Sequence, residues 1–159
     1  MEFTGIQKTF SYTQINNGNI ENVFPLLCPV REKDWLDGWN YKMIHSKSGV
    51  IEKNCVFTTQ NGELETTWHI TQYDKLDYKI GFLRVTSSEN VVRINIQLER
   101  INKEQTKVFI NYQYTALNEN QNEFINTELE HSFTKSMEWW EKAINHYLET
   151  GNLLKKIEC

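Results

Sequence analysis

The chain has 159 residues, with 17 basic and 21 acidic side chains, a net charge of −4 and a pI near 5.6. One core of that size hides ~70% of the unfolded surface, so 1–159 reads as a single domain. Without a run of Lys and Arg to track phosphates, or an apolar run of ~18 residues, nucleic-acid binding and membrane insertion are not expected.

The opening residues lack the basic start and apolar middle of a signal peptide, and Cys28, Cys55 and Cys159 show no paired spacing. A cytoplasmic protein with free thiols is the expectation. Phe3 to Thr13 alternate, Phe10 and Tyr12 against Thr9, Ser11 and Thr13, which predicts a half-buried strand. The cluster Asn16, Asn17, Gly18, Asn19 ends it, and Asn19 suits the cap of a helix from Ile20 to Cys28 that Pro25 keeps short. Pro29 breaks that helix. Val30 to Leu36 then reads as a second one, with Arg31, Glu32, Lys33 and Asp34 in its wet turn.

From Trp39 onward the texture changes to period two. Strands are predicted over Tyr41 to His45, Asn54 to Thr59, Leu64 to Tyr73, Tyr78 to Thr86, Val91 to Ile101 and Thr106 to Leu117. Asn61-Gly62 between β-formers is the strongest hairpin signal, and the uniformly short connections favour an antiparallel meander. Val92, Ile94, Ile96 and Leu98 share one face, as do Val108, Ile110, Tyr112, Tyr114 and Ala116; Trp68 and Ile70 join that side. The strand carrying Ile80, Phe82 and Arg84 opposite Leu83 and Val85 is apolar on both faces.

Asn122 to Gly151 reads as one long amphipathic helix. Ile125, Leu129, Phe133, Met137, Trp140, Ile144 and Leu148 recur at steps of three or four, Asn122 suits its cap and Gly151 its left-handed end. The sum is an α+β helix-grip arrangement: a curved seven-stranded antiparallel sheet, two short helices and one long C-terminal helix.

The residues themselves resemble a known group. Cys28 to Trp39, Thr67 to Asp74, Tyr114 to Leu117, Trp140 to Ala143 and Tyr147 to Gly151 together resemble bacterial proteins of the START-like, or SRPBCC, superfamily. That superfamily includes polyketide cyclases and birch-pollen-allergen-like proteins. The resemblance implies a deep, mostly apolar cavity between the sheet and the terminal helix, without implying one activity.

Trp68, Tyr112, Tyr114, Phe133, Met137 and Trp140 are the candidate lining, either of a ligand cavity or of a filled core. Trp35 and Trp39 form either a plug between the short helices and the sheet or a gate or wall of the cavity, and Arg31 and Glu32 pair with each other's neighbours or with the terminal helix, reading as solvated ion pairs. Arg84, on the face of Phe82, either meets a ligand carboxylate or reaches water. His69 points outward. His45, His131 and His146 have no metal-ligand spacing, and no glycine-rich or nucleophile motif appears, so neither metal nor cofactor is expected. The expected function is binding or carrying a small hydrophobic or aromatic molecule, through Trp39, Trp68, Phe82, Arg84, Tyr112, Tyr114, Phe133, Met137 and Trp140. The alternative is a cyclase- or dehydratase-like enzyme using the same cavity, and monomer and homodimer both remain open.

Overall fold

A computed structural model describes residues 2–156. Cys159, expected as a third free thiol, lies outside them, while Cys28 and Cys55 are free and buried. In chain order the elements are β1 (Gln7–Asn16), α1 (Ile20–Val23) running into a 3₁₀ turn (Phe24–Leu27), α2 (Pro29–Trp35), β2 (Tyr41–His45), β3 (Val56–Asn61), β4 (Leu64–Asp74), β5 (Lys79–Thr86), β6 (Asn90–Asn102), β7 (Gln105–Ala116), α3 (Glu119–Thr127) and α4 (Leu129–Thr150).

The seven strands form one curved antiparallel sheet in the order β1-β7-β6-β5-β4-β3-β2. Strands β2 to β7 are thus a meander, and β1 returns to pair with the last of them. Register shifts at Met43/His45, Ile70/Gln72 and Arg100/Asn102 bend the strands, as bulges do. Opposite the second bulge stands Gly81, where a Cβ would lie 2.7 Å from Thr71 Oγ1. The inner face follows the parity expected: Val92, Ile94, Ile96, Leu98, Val108, Ile110, Tyr112 and Tyr114 are buried, with Arg93, Asn95, Gln97 and Glu99 outside. In β5 that face is Ile80, Phe82 and Arg84, whereas Val85 is exposed, so the strand is apolar toward the core on one side only.

Two expectations about helices need correction. The first predicted helix is a single α-turn capped by Asn19, after which Pro25, lacking an N–H, tightens the chain into 3₁₀ geometry. The long terminal helix is broken at Glu128 (φ −121°), giving α3 and α4. Asn118, not Asn122, caps α3, accepting from Gln121 N at 2.7 Å. Asn122 instead lashes the amino-terminal segment to α3, its Oδ1 accepting from Ile6 N and its Nδ2 donating to Thr4 O. Thr127 Oγ1 donates to the Glu123 carbonyl one turn back, a bond that competes with the helical ladder near the break. Gly151, with φ +73°, ends α4 as expected.

Helix α4 is tied to β1 by polar groups. Glu141 accepts from Tyr12 OH at 2.9 Å and from Ile15 N at 2.7 Å, and Asn145 one turn later accepts from Asn17 N while donating to Ile15 O. Burial and the Glu141 carboxylate together push the Tyr12 phenol up to about 12. The helix is therefore anchored along one edge of the sheet, and its other flank, with α2, faces the centre.

Candidate functional site

Between the inner face of the sheet, α2 and α4 lies a cavity of about 170 Å³ bordered by Leu27, Glu32, Leu36, Trp39, Phe57, Trp68, Phe82, Arg84, Ile94, Ile96, Tyr112 and Trp140. Alternation places Trp68, Phe82 and Arg84 on its wall, each two residues from another inward-facing side chain and each on a strand paired to the next. Trp68 stacks on Phe57 at 5.4 Å between centroids and meets Phe82 and Trp39 edge-on. Its indole N–H is satisfied by Thr59 Oγ1 at 2.9 Å. Trp39 is held by donation from Nε1 to Pro29 O, and Trp35, wholly buried, donates to Leu26 O and packs edge-on against Trp140. So Trp35 is the plug between the helix pair and α4, while Trp39 is a wall of the cavity.

A wider cleft of about 640 Å³ opens to solvent on the far side of Leu36, Trp39 and Trp140, lined also by Asp37, His131, Lys135, Trp139 and Lys156. The three shared residues are the partition between this vestibule and the inner cavity.

Tyr114, Phe133 and Met137, expected on the lining, do not border the cavity. Tyr114 sits behind it and holds Arg84, whose Nη2 donates to the phenol oxygen at 3.1 Å. Phe133 is packed against Phe10 and Tyr112, with centroids 5.7 and 5.2 Å away, and Met137 is 2% exposed. Phe133 thus carries α4 directly onto β1 and β7. Arg84 is half-buried on the inner face: its guanidinium carbon lies 5.2, 5.6 and 5.7 Å from the ring centres of Trp68, Tyr112 and Tyr114. That is an aromatic box around a cation. No salt bridge to Arg84 forms among the described residues.

The residue that sequence reasoning misplaced is Glu32. Arg31 forms the expected solvated pair, with Asp34 at 2.7 Å, but Glu32 forms none among the described residues. Glu32 is 6% exposed, borders the cavity, and its carboxyl has no hydrogen bond or ion pair among the described residues. Desolvation alone pushes it up to about 8. The signal was present: Glu32 stands four residues after Cys28 and three and four before Trp35 and Leu36, on the inward stripe of α2. Tyr112, 4% exposed and also on the wall, likewise has no hydrogen-bond partner among the described residues, and burial holds its phenol well above the ordinary value against the opposing pull of Arg84. An apolar chamber thus contains three convergent polar groups: an aromatic-boxed guanidinium, a carboxyl and a phenol.

No family model and no curated protein sequence matches the chain. Solved structures do. A hypothetical protein from Helicobacter pylori superposes with a TM-score of 0.72 at 10% identity, covering 88% of this chain and 87% of its own. Norcoclaurine synthase from Thalictrum flavum, in complex with dopamine and hydroxybenzaldehyde, gives 0.66 at 13% identity over 96% and 91%. The Zhui aromatase/cyclase from Streptomyces sp. R1128 gives 0.69 at 9% identity over 91% and 94%. These likenesses show the fold, a helix-grip arrangement of a curved antiparallel sheet around a long C-terminal helix.

Proposed function

From that fold as premise, we propose that this protein binds a small, single-ring aromatic molecule in the cavity between the sheet, α2 and α4. The observation that carries the reading is the size and wall of the chamber. A dry cavity of about 150 Å³ admits benzene, and about 170 Å³ walled by Trp39, Trp68, Phe82 and Trp140 matches that scale. Drug-sized ligands take about 300 Å³ or more, so polyketides, flavonoids and long-chain lipids are disfavoured as occupants. The likeness to norcoclaurine synthase supports the same scale, since dopamine and hydroxybenzaldehyde each carry one ring. The ligand passes between Leu36, Trp39 and Trp140 from the vestibule.

Tryptophan fluorescence and isothermal titration with neutral one-ring probes, benzyl alcohol and toluene, test this directly. Saturable binding that quenches the wall tryptophans is expected, with no binding of a flavonoid or a long-chain fatty acid. Failure of every one-ring compound to bind, by either measurement, refutes it.

A second reading, catalysis, has one observation in its favour. A carboxyl at about 8 is poised to take and return a proton near neutral pH. In that case Glu32 is the acid–base residue and Arg84 the group that orients the substrate. Turnover lost in Glu32→Gln with ligand affinity retained would support it; a site that binds without turning over any one-ring substrate favours the carrier.

A further inference from the structure

The polar groups of the chamber specify more than its volume does, and the following rests on the one-ring reading above. We propose that the chamber recognises the carboxylate of a small aromatic acid, with Arg84 and Tyr112 donating to it. A guanidinium presents five N–H donors in a planar fork, and Tyr114 uses only one of those of Arg84. The rest of the fork is free of protein carboxylates among the described residues, so a ligand carboxylate can be met bidentately. Tyr112, nine-tenths buried and on the same wall, adds an O–H donor.

Glu32 decides the sign of the ligand. Its carboxyl is neutral below about 8, so at neutral pH the chamber holds one positive charge and no negative one. A neutral carboxyl donates an O–H to an incoming carboxylate, and that bond is short and strong. An amine would face the Arg84 charge across an apolar space, where repulsion is poorly screened. The groups around Glu32 are Arg84 from β5, Tyr112 from β7 and Cys28 from the start of its own helix; α4 contributes only Trp140. Burial pushes the Cys28 thiol and the Tyr112 phenol above their ordinary values of 9.0 and 10.0, so in the window between neutrality and about pH 9 Glu32 is the group of this set that changes charge.

Benzoate, benzyl alcohol and benzylamine, equal in ring and nearly so in size, are the probes, titrated calorimetrically against the full chain. Benzoate is expected to bind at least about tenfold more tightly than benzyl alcohol at neutral pH, and benzylamine not at all; tenfold corresponds to one charge-assisted bond. Raising the pH from about 7 to about 9 ionises Glu32 and weakens benzoate by about tenfold, while benzyl alcohol stays level. In Glu32→Gln the benzoate affinity no longer falls over that range, and Arg84→Met removes the preference for benzoate while benzyl alcohol still binds. Should Arg84→Met not fold, Glu32→Gln with the pH series decides alone. Equal affinities for benzoate and benzyl alcohol overturn the carboxylate inference and leave one-ring binding standing. Preference for benzylamine, or a pH profile unchanged by Glu32→Gln, also overturns it, and failure of all three probes removes the reading on which it rests.

Discussion

Replacing Glu32 by Gln keeps the shape of the side chain and removes its charge. The native carboxyl titrates at about 8, the same group in the unfolded chain near 4.5. Below about 4.5 both states are protonated and the residue costs nothing electrostatically. As the pH rises the unfolded chain releases its proton first, so the folded state binds more protons and unfolding free energy falls by ~1.4 kcal/mol per pH unit until about pH 8. The accumulated loss is roughly 4 to 5 kcal/mol, a ceiling that water entering the cavity reduces. Urea unfolding of the native protein and Glu32→Gln, at one-unit steps from about pH 4 to about pH 9, measures it. The free-energy difference between the two proteins should grow through this interval in favour of the variant and level off above about pH 8. Glu52 and Asp74, whose carboxylates backbone N–H groups hold below their ordinary values, act only at the acid end and are common to both proteins. Parallel profiles for native and variant protein would show that Glu32 is solvated and would refute the account of the chamber's charge.

Two other perturbations probe the frame around the site. Glu141→Ala removes the acceptor of both Tyr12 OH and Ile15 N, and loss of that charge-assisted pair costs about 1.5 to 3 kcal/mol, or about 4 to 10 °C in melting temperature by calorimetry. Glu138→Ala, which breaks only the exposed 3.7 Å pair with Lys135, should change stability by less than about 0.5 kcal/mol; equal effects would refute the lash between α4 and β1. Gly5→Ala places a Cβ against the Ala116 carbonyl, which is backbone and cannot rotate away. Destabilisation of about 1 to 3 kcal/mol is expected, with faster hydrogen exchange at Ile6 and Ala116, whose amide bonds hold this segment to α3 and β7; unchanged exchange there would count against it.

The sheet was legible because its evidence is local. Alternation in β6 and β7, turn residues at each corner and Asn61-Gly62 at the β3–β4 hairpin each act over a few residues, and the ends of β2 to β7 fell within two positions of those read from the pattern, whereas β1, expected over Phe3 to Thr13, runs Gln7–Asn16. The break at Glu128 was not legible, since the apolar stripe continues through it: Ile125 and Leu129 are both buried. Before the break α3 docks on β7 and, through Asn122, on the amino-terminal segment, whose residues lie more than a hundred positions away and leave no local mark in the sequence. Glu32 failed for a related reason. Four consecutive charged residues read as a solvated turn, yet a helix of seven residues still has an inward side, and its periodicity with Cys28, Trp35 and Leu36 outranked the local charge.

Whether α4 is a core helix or the wall of a hollow has a different answer at each end. Phe133 meets β1 and β7 directly, and this contact, with Glu141 and Asn145 fixing the helix to β1, places α4 on one side of the sheet. Anchored there, α4 leaves a gap toward β4 and β5, where Trp140, Trp68 and Phe82 border the cavity. The gap is partly closed from the other side by the 3₁₀ turn and α2, through Leu27, Leu36 and Trp35, the last braced on Trp140. What remains between Trp140 and Trp68 is the chamber, and its dimensions follow from where the two helical supports stop. The polar groups then fall where the geometry leaves room: Arg84 on β5 of the sheet and Glu32 on the α2 brace, so that an occupant reaching both ties that brace to the sheet.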